Sequence, residues 1–216
     1  MRHFFATPIA AACLVLGAAS AQANSVNLSG FTFGSASTVN ASGAPAYSGG
    51  AGQFVGLLDG NSFATFCVEL TQSFQFNVTY TDYSIVSGAS YFTGSKAADL
   101  AKLVTAHAGS VVDASSSAAF QAAVWEIVYE TGSYNLNAGA IQFAPGTVSA
   151  ADLATANGWF ATLNAVVPDV SINVLQSREH QDFLLAAAVP EPSTYALLAA
   201  GLLGVGFVAR RRTHRG

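Results

Sequence analysis

Apolar and polar residues alternate along the first half of the chain, which is the pattern of strands in a sheet with one solvated face. Residues 35–52 break this alternation, because they are rich in Ser, Gly, Ala and Asn, and we expect a loop or an irregular edge there. Strands are predicted over residues 26–33, 53–58, 63–70, 73–80 and 83–86, with a turn over residues 59–62 between the second and the third.

From residue 95 the apolar spacing becomes helical, with Leu100, Leu103 and Val104 on one face. Helices are predicted over residues 95–108, 115–130 and 150–164, with N-terminal caps from Ser95, from Ser115 to Ser117 and from Ser149. Strand character returns over residues 170–175 and 182–186. We therefore predict an α+β fold, in which a β-rich domain of antiparallel, sandwich-like sheets carries an inserted segment of two to three helices.

The N-terminus carries an export signal. A basic start is followed by an apolar core over residues 9–19 and by an A-x-A sequence that ends at Ala23. This order predicts a secretory signal peptide over residues 1–23, which signal peptidase removes. The apolar run is short for an uncleaved membrane helix. The body of the protein is then residues 24–188.

The last segment, residues 189–216, combines the sequence Pro190-Glu191-Pro192, an apolar run over residues 195–209 and a cluster of arginines. The arginines predict that the C-terminal side of this helix faces the cytoplasm of the cell. In this order the three features resemble the PEP-CTERM sorting signal of Gram-negative bacteria that make extracellular polysaccharide. The resemblance implies recognition by an exosortase and delivery to the cell surface or biofilm matrix. The transmembrane helix would anchor the protein in the inner membrane, transiently if it is removed and permanently if it is not.

The body is acidic and has one cysteine. It carries eleven Asp and Glu residues against Lys96, Lys102 and Arg178, a net charge of about −8. Such a surface repels phosphates and argues against a nucleic-acid partner. Cys13 leaves with the signal peptide, so Cys67 has no disulfide partner in the mature chain. An odd cysteine in an exported protein indicates a reactive thiol or an intermolecular bridge.

The predicted fold brings this thiol towards a glutamine. Cys67 lies in a predicted strand, and Gln121 lies among apolar residues on the second predicted helix. A buried amide without a partner costs roughly 1–3 kcal/mol in proteins, so Gln121 is expected to have one. If the helix packs on the side of the strand to which Cys67 points, the sulfur meets the amide carbonyl. Their condensation would expel ammonia and leave an internal thioester.

Two motifs around this pair resemble the signatures of the bacterial thioester domain, the TQXA or Cys-Gln thioester adhesin family. The first is aromatic-Cys-aliphatic-acid, and the second is apolar-Gln-x-Ala-aliphatic-Trp. The resemblance implies that Cys67 and Gln121 form the thioester crosslink. Phe120 departs from the family, because it is bulkier than the Thr or aliphatic residue usual before the glutamine. The matching flanks are Phe66, Val68 and Glu69 in the first motif and Ala123, Val124 and Trp125 in the second.

The resemblance implies covalent adhesion. An amine or hydroxyl on a surface or matrix partner attacks the Gln121 carbonyl, and the Cys67 thiolate leaves. Because the thioester is not regenerated, we expect a protein that is not an enzyme and needs no cofactor. No general base is assigned, since Glu69 and Glu126 are expected to be solvated or capping carboxylates.

Other interpretations are open at this point. The body could be a non-catalytic structural protein of the surface or extracellular matrix, with an unreactive thiol. It could be a hydrolase with Cys67 as nucleophile and His107 as base, although no third catalytic group stands out. A metal site formed by Cys67, His107 and His180 lacks any ligand spacing.

Overall fold

The computed structural model describes residues 23–189, 197–198, 200–203 and 205. The predicted signal peptide up to residue 22, the sequence Pro190-Glu191-Pro192 and the C-terminal arginines lie outside these residues. Among the described residues, no helix has the length and apolar character that crossing a membrane requires.

The strands form two antiparallel sheets. Their bounds are β1 Asn24–Phe31, β2 Ser37–Gly43, β3 Tyr47–Ala51, β4 Phe54–Leu58, β5 Asn61–Thr65, β6 Thr79–Ser87, β7 Ile141–Pro145, β8 Val170–Gln176 and β9 Phe183–Ala188. The larger sheet has the order β5-β4-β1-β6-β8-β9, and the smaller has the order β3-β2-β7. Every neighbouring pair is antiparallel.

Within residues 23–189, four α-helices follow β6. They are α1 Gly88–Tyr91, α2 Lys96–His107, α3 Ala114–Tyr129 and α4 Ala150–Trp159. Helix α2 packs on β8 of the larger sheet, while α3 packs on all three strands of the smaller sheet and on α2 and α4. The predicted α+β class with antiparallel sheets is confirmed. The helical segment lies between β6 and β8 as predicted, but β7 interrupts it.

Helix α3 is the centre of the core. Its residues from Ser116 to Ile127 are all buried, as expected for a helix that is covered on every side. The helix begins at Ala114, and its cap is Asp113, not the predicted serines. The Asp113 carboxylate accepts the backbone N–H of Ser116 at 2.7 Å, and the Ser116 hydroxyl accepts the backbone N–H of Asp113 at 3.0 Å. This reciprocal capping fixes where α3 starts.

The hairpin between β4 and β5 turns where predicted, but its turn is shorter than the predicted 59–62, because Asn61 and Ser62 already belong to β5. Asp59 and Gly60 form a two-residue loop with φ values of 49° and 79°, between the paired residues Leu58 and Asn61. Positive φ at both positions matches the right-handed twist of the flanking strands, and it explains the choice of Asp and Gly.

The predicted loop over residues 35–52 is instead the hairpin of β2 and β3, with Val39 opposite Gly49. Its small residues are required by close packing. A Cβ added to Gly49 would lie 2.7 Å from the Tyr47 hydroxyl, and one added to Gly50 would lie 2.8 Å from the Ala36 Cβ. A strand of such residues shows no apolar alternation, so the sequence pattern does not reveal it.

Two strand predictions near Cys67 are also corrected. The predicted strand over residues 63–70 ends at Thr65, and Cys67 makes an isolated antiparallel bridge to Phe183. The predicted strand over residues 73–80 is irregular until β6 begins at Thr79. Asn77 has a φ of 61°, and its backbone N–H donates to Leu28 O at 2.8 Å, which turns the chain. The alternating phenylalanines of this segment pack as a cluster of rings instead of lining a strand.

Glu126 on α3 is a carboxyl group that the core does not fully satisfy. It is buried, not solvated as expected, with Oε1 accepting the Asn135 N–H at 2.6 Å. Its Oε2 has no hydrogen-bond partner among the described residues. Burial raises the pKa of Glu126 to about 7, and the nearby Glu130 carboxylate adds to the effect.

This pKa predicts how stability depends on pH. An unfolded Glu has a pKa of about 4.3. The contribution of Glu126 to the free energy of unfolding is therefore complete below about pH 4.3, where both states hold the proton. It is lost as the pH rises through about 7, because the unfolded chain ionises more readily than the folded protein. We expect Glu126→Gln, which cannot ionise, to reduce the fall in the free energy of unfolding between pH 5 and 8 by up to roughly 3 kcal/mol. Urea denaturation of both proteins across this range measures it. If the free energy of unfolding fell equally with pH in the wild type and in Glu126→Gln, the raised pKa of Glu126 would be contradicted.

Candidate functional site

Cys67 lies directly after β5, where the chain runs beside the start of β9. Leu184 N–H donates to Phe66 O at 2.8 Å, and Val68 N–H donates to Asp182 O at 3.1 Å. These bonds on both sides hold the Cys67 backbone in a fixed position. Cys67 is buried, with 3% of its surface exposed, and it is the free cysteine of the described chain.

Gln121 reaches Cys67 from α3. Its Nε2 donates to Cys67 O at 2.8 Å, and its Oε1 accepts the Cys67 N–H at 2.9 Å. Both polar atoms of the amide therefore bind the backbone of one residue, 54 positions away in the sequence. The structure brings the two residues of the predicted pair into direct contact. The expected partner of the Gln121 amide is found, and in this structure it is the backbone N–H and C=O of Cys67.

A cavity of about 260 Å³ is lined by both residues. Its wall is largely aromatic, and amide groups from Gln72 and Gln181 supply part of its polar surface. None of the described residues that line it is charged. The aromatic side chains are those of Phe31, Tyr47, Phe54, Phe74, Phe76 and Trp125.

Five of the six flanks of the two motifs are buried in the core around this contact, and Glu69 is half-buried. Phe66 packs on Phe120, with ring centroids 4.7 Å apart, and Phe120 also contacts Trp159 at 5.8 Å. The bulk of Phe120 thus fills a space between two other aromatic rings. Val68, Ala123 and Val124 are fully buried.

Trp125 and Glu69 are the two polar flanks. The Trp125 ring packs 5.2 Å from Tyr47, and its buried indole N–H has no partner among the described residues. The Glu69 carboxylate accepts the backbone N–H groups of Thr71 and Gln72, at 2.8 and 3.0 Å. Glu69 is therefore a capping carboxylate, as the sequence led us to expect.

The environment of Cys67 keeps its thiol protonated. Burial raises the pKa of Cys67 well above its ordinary value, and the negative charge of Glu69 raises it further. A hydrogen bond from the Gln181 side chain acts in the opposite direction. A reactive thiolate normally has a cationic neighbour, and none of the cavity-lining residues supplies one.

His107 and His180 are not among the residues that line the cavity. The His107 ring stacks on Trp159 with centroids 4.9 Å apart, and its Nε2 is 3.2 Å from the Thr162 hydroxyl. The His180 ring lies 4.0 Å from that of Tyr80. Within the described part of the chain, no three His, Cys, Asp or Glu side chains are grouped so that they could hold a metal ion. The hydrolase pair and the metal triad are therefore not assembled in this structure.

Sequence reasoning missed Gln181. Its Nε2 donates to Glu69 O at 2.9 Å, which joins residues 112 positions apart, and it lines the cavity next to Cys67. No motif marks it, because its position depends on the pairing of residues 182–184 with residues 66–68.

Comparison with known proteins identifies the C-terminal signal. The PEP-CTERM protein-sorting motif matches residues 188–212. This match confirms the predicted sorting motif around Pro190, Glu191 and Pro192, and it indicates an exported, surface-sorted protein that exosortase processes. No curated protein and no solved structure matches the chain. For the body, the thioester interpretation rests on the two motifs and the geometry described above.

The Gln121 contact predicts a large effect on stability that is independent of any thioester. In a Cys67→Ala background, the two hydrogen bonds to the backbone of residue 67 remain. Adding Gln121→Leu leaves a buried N–H and a buried C=O unpaired, at about 1–3 kcal/mol each. We expect the double variant to unfold with roughly 2–5 kcal/mol less free energy than Cys67→Ala alone, as measured by urea denaturation. A difference below about 0.5 kcal/mol would show that these bonds do not hold α3 to the chain.

Proposed function

We propose that this exported, exosortase-sorted protein forms an internal thioester between Cys67 Sγ and Gln121 Cδ. The thioester then attaches the protein covalently to an amine or hydroxyl on a surface or matrix partner. The observation that carries this proposal is the pair of hydrogen bonds between the Gln121 amide and the Cys67 backbone. They hold the amide carbon beside the residue that bears the thiol.

Formation of the bond needs no external reagent. The Cys67 sulfur adds to Gln121 Cδ, and negative charge develops on Oε1. The Cys67 backbone N–H already lies 2.9 Å from this oxygen, so it is in place to stabilise the charge. The thiol proton passes to Nε2, the Cδ–Nε2 bond breaks, and ammonia leaves. The thiol, which burial keeps protonated, carries the proton that the leaving nitrogen requires.

The surroundings favour survival of the thioester. Phe66, Phe120 and Trp125 are buried around the contact, so little water reaches the acyl carbon from the core side. On the opposite side, the acyl carbon faces the cavity, and a nucleophile would reach it from there. Its attack on Cδ forms an amide or ester and breaks the Sγ–Cδ bond, and Cys67 regains a proton.

The residues that line the cavity bear on which nucleophile can react there. A lysine amine has an ordinary pKa of about 10.4 and attacks as the neutral base. None of the described residues that line the cavity is a His, Asp or Glu that could deprotonate a hydroxyl.

Each molecule reacts once, so the protein is an adhesin or matrix component and not an enzyme.

The second candidate is a structural surface or matrix protein with an unreactive thiol. One observation favours it specifically. The Gln121 amide has a hydrogen-bond partner for both of its polar atoms, so a purely structural tie between α3 and the Cys67 segment accounts for its burial. In that case Cys67 is a small apolar side chain in the core.

Intact mass spectrometry of the exported protein separates the two candidates. With the thioester, the wild type is lighter than its sequence by one ammonia, and methylamine treatment adds one methylamine. The Cys67→Ala and Gln121→Ala variants show neither change. An alkylating reagent labels the wild type only after methylamine has released the thiol.

A wild-type mass equal to the plain sequence, with an intact glutamine at position 121 in the peptide map, would overturn the proposal. Peptide mapping is needed because hydrolysis of a thioester during purification leaves glutamate at this position. The structural candidate predicts an intact glutamine and no change with methylamine.

A further inference from the structure

Strand β3 forms one wall of the cavity that Cys67 and Gln121 line. Its residues Tyr47, Gly50 and Ala51 all border this cavity. Tyr47 and Ala51 point to one face of the strand and Gly50 to the other, so a cavity that all three line lies at the edge of the strand. The other edge of β3 is paired with β2 over all five residues. The cavity therefore lies where a further strand would join the smaller sheet.

The bonds of Thr38 show which β3 groups point to this outer edge. Thr38 lies on β2, opposite Gly50. Its N–H donates to Thr147 Oγ1 at 2.8 Å, and its C=O accepts the Val148 N–H at 3.1 Å, so both groups point away from β3. Thr38 and Gly50 are therefore a non-hydrogen-bonded pair, and in an antiparallel ladder this pattern recurs at every second residue. Gly50 and Ser48 direct their N–H and C=O groups to the outer edge.

Most of these outward groups are unpaired. The Gly50 C=O accepts the Tyr47 hydroxyl at 2.6 Å. The Ser48 N–H, the Ser48 C=O and the Gly50 N–H have no hydrogen-bond partner among the described residues. Ser48 is exposed and Gly50 is half-buried. Residues two apart in a strand are separated by roughly 7 Å, so these groups match the alternate acceptors and donors of one more extended chain.

The other edge strands differ from β3. The β7 edge is covered in part, because the Phe143 N–H donates to Leu136 O at 2.7 Å. The edge strands β5 and β9 of the larger sheet come together where Cys67 bridges Phe183. Natural edge strands are often protected by charged residues, proline or a bulge. Strand β3 has the sequence YSGGA and pairs with β2 in unbroken register, so it carries none of these protections.

We infer that β3 is a docking edge for an extended polypeptide segment of the covalent partner, which joins the smaller sheet and places an amine-bearing side chain in the cavity. The reaction of this amine rests on the proposed function, whereas the docking does not. The amine attacks Gln121 Cδ, the Sγ–Cδ bond breaks, and a proton of the amine passes to the Cys67 sulfur. Backbone pairing supplies affinity, and the cavity selects the side chain.

The partner is accordingly a protein and not a polysaccharide, because only a peptide backbone repeats N–H and C=O groups at the spacing of the β3 edge. The body has a net charge of about −8, which favours a basic segment over an acidic one.

Docking is measured without the thioester, in the Cys67→Ala variant of the exported protein. The probe is a seven-residue peptide of alternating threonine and valine with a central lysine, blocked at both ends. We expect it to shift the amide resonances of Ser48 and Gly50 and to slow their hydrogen exchange. The same peptide with an N-methylated backbone keeps its side chains but cannot pair as a strand, and it should bind at least about tenfold more weakly.

Ser48→Pro and Ser48→Ala form a matched pair of variants. Both lose the hydrogen bond from the Ser48 hydroxyl to Asn40 Oδ1, but only proline removes the outward N–H. This N–H has no partner within the described chain, and proline is tolerated on edge strands. We expect Ser48→Pro to weaken peptide binding roughly tenfold and Ser48→Ala to leave it unchanged. If Ser48→Pro does not fold, the two peptides on the parent protein still decide.

The reaction is measured as the rate of amide formation with the thioester protein, followed by intact mass. At equal concentration, the peptide should react at least about tenfold faster than a single blocked lysine, and N-methylation of the peptide should remove this advantage. Equal rates for the three amines in a protein that does form the thioester would overturn the inference and leave the proposed function intact.

Two further outcomes count against the docking edge. Equal binding of the plain and the N-methylated peptide would show that β3 pairs with neither. A dimer of the free protein that Ser48→Pro dissociates would show that a second copy already occupies this edge. If instead the peptide protects Ser48 and Gly50 but the wild type has no thioester, the proposed function fails and the docking edge stands.

Discussion

The structure depends on two hydrogen bonds between one side chain and the backbone of one residue. The Gln121 amide accepts from Cys67 N and donates to Cys67 O, in a core where an unpaired polar group is costly. Without them, neither α3 nor the segment after β5 would have its buried polar groups satisfied at this point. The same two bonds hold an amide carbon beside a thiol-bearing residue. Structural stabilisation and the proposed chemistry therefore have the same origin, and the pair cannot be changed for one purpose without affecting the other.

The Cys67–Gln121 contact is covered by aromatic rings on one side and borders a cavity on the other. Phe66 and Phe120 close the inner side, whereas the cavity lined by Trp125 and Gln181 opens on the outer side. A thioester is useful only if water reaches it more slowly than its target does. Aromatic walls without charged groups disfavour bound water and leave approach to a nucleophile possible. The protonated state of Cys67 follows from the same burial.

Sequence reasoning found the parts of the fold that have local signals. The Asp59-Gly60 turn needs positive φ, and the spacing of Leu100 and Leu103 marks a helix, so both were predicted. The hairpin of β2 and β3 was not, because its glycines are selected for close packing and give no alternation. The proximity of Cys67 and Gln121 was predicted from motifs and from helix packing. The position of Gln181 could not be predicted, since only the pairing of the chain around β9 with the segment after β5 brings it to the cavity that Cys67 lines.

Whether the bond between Cys67 and Gln121 forms can be seen in a high-resolution crystal structure of the exported protein. We expect continuous electron density from Cys67 Sγ to Gln121 Cδ, with no nitrogen at the Nε2 position and with Oε1 still accepting the Cys67 N–H. An intact carboxamide that bonds Cys67 N and O, with a separate thiol in the cavity, would contradict it. The same two bonds would then be a structural tie alone.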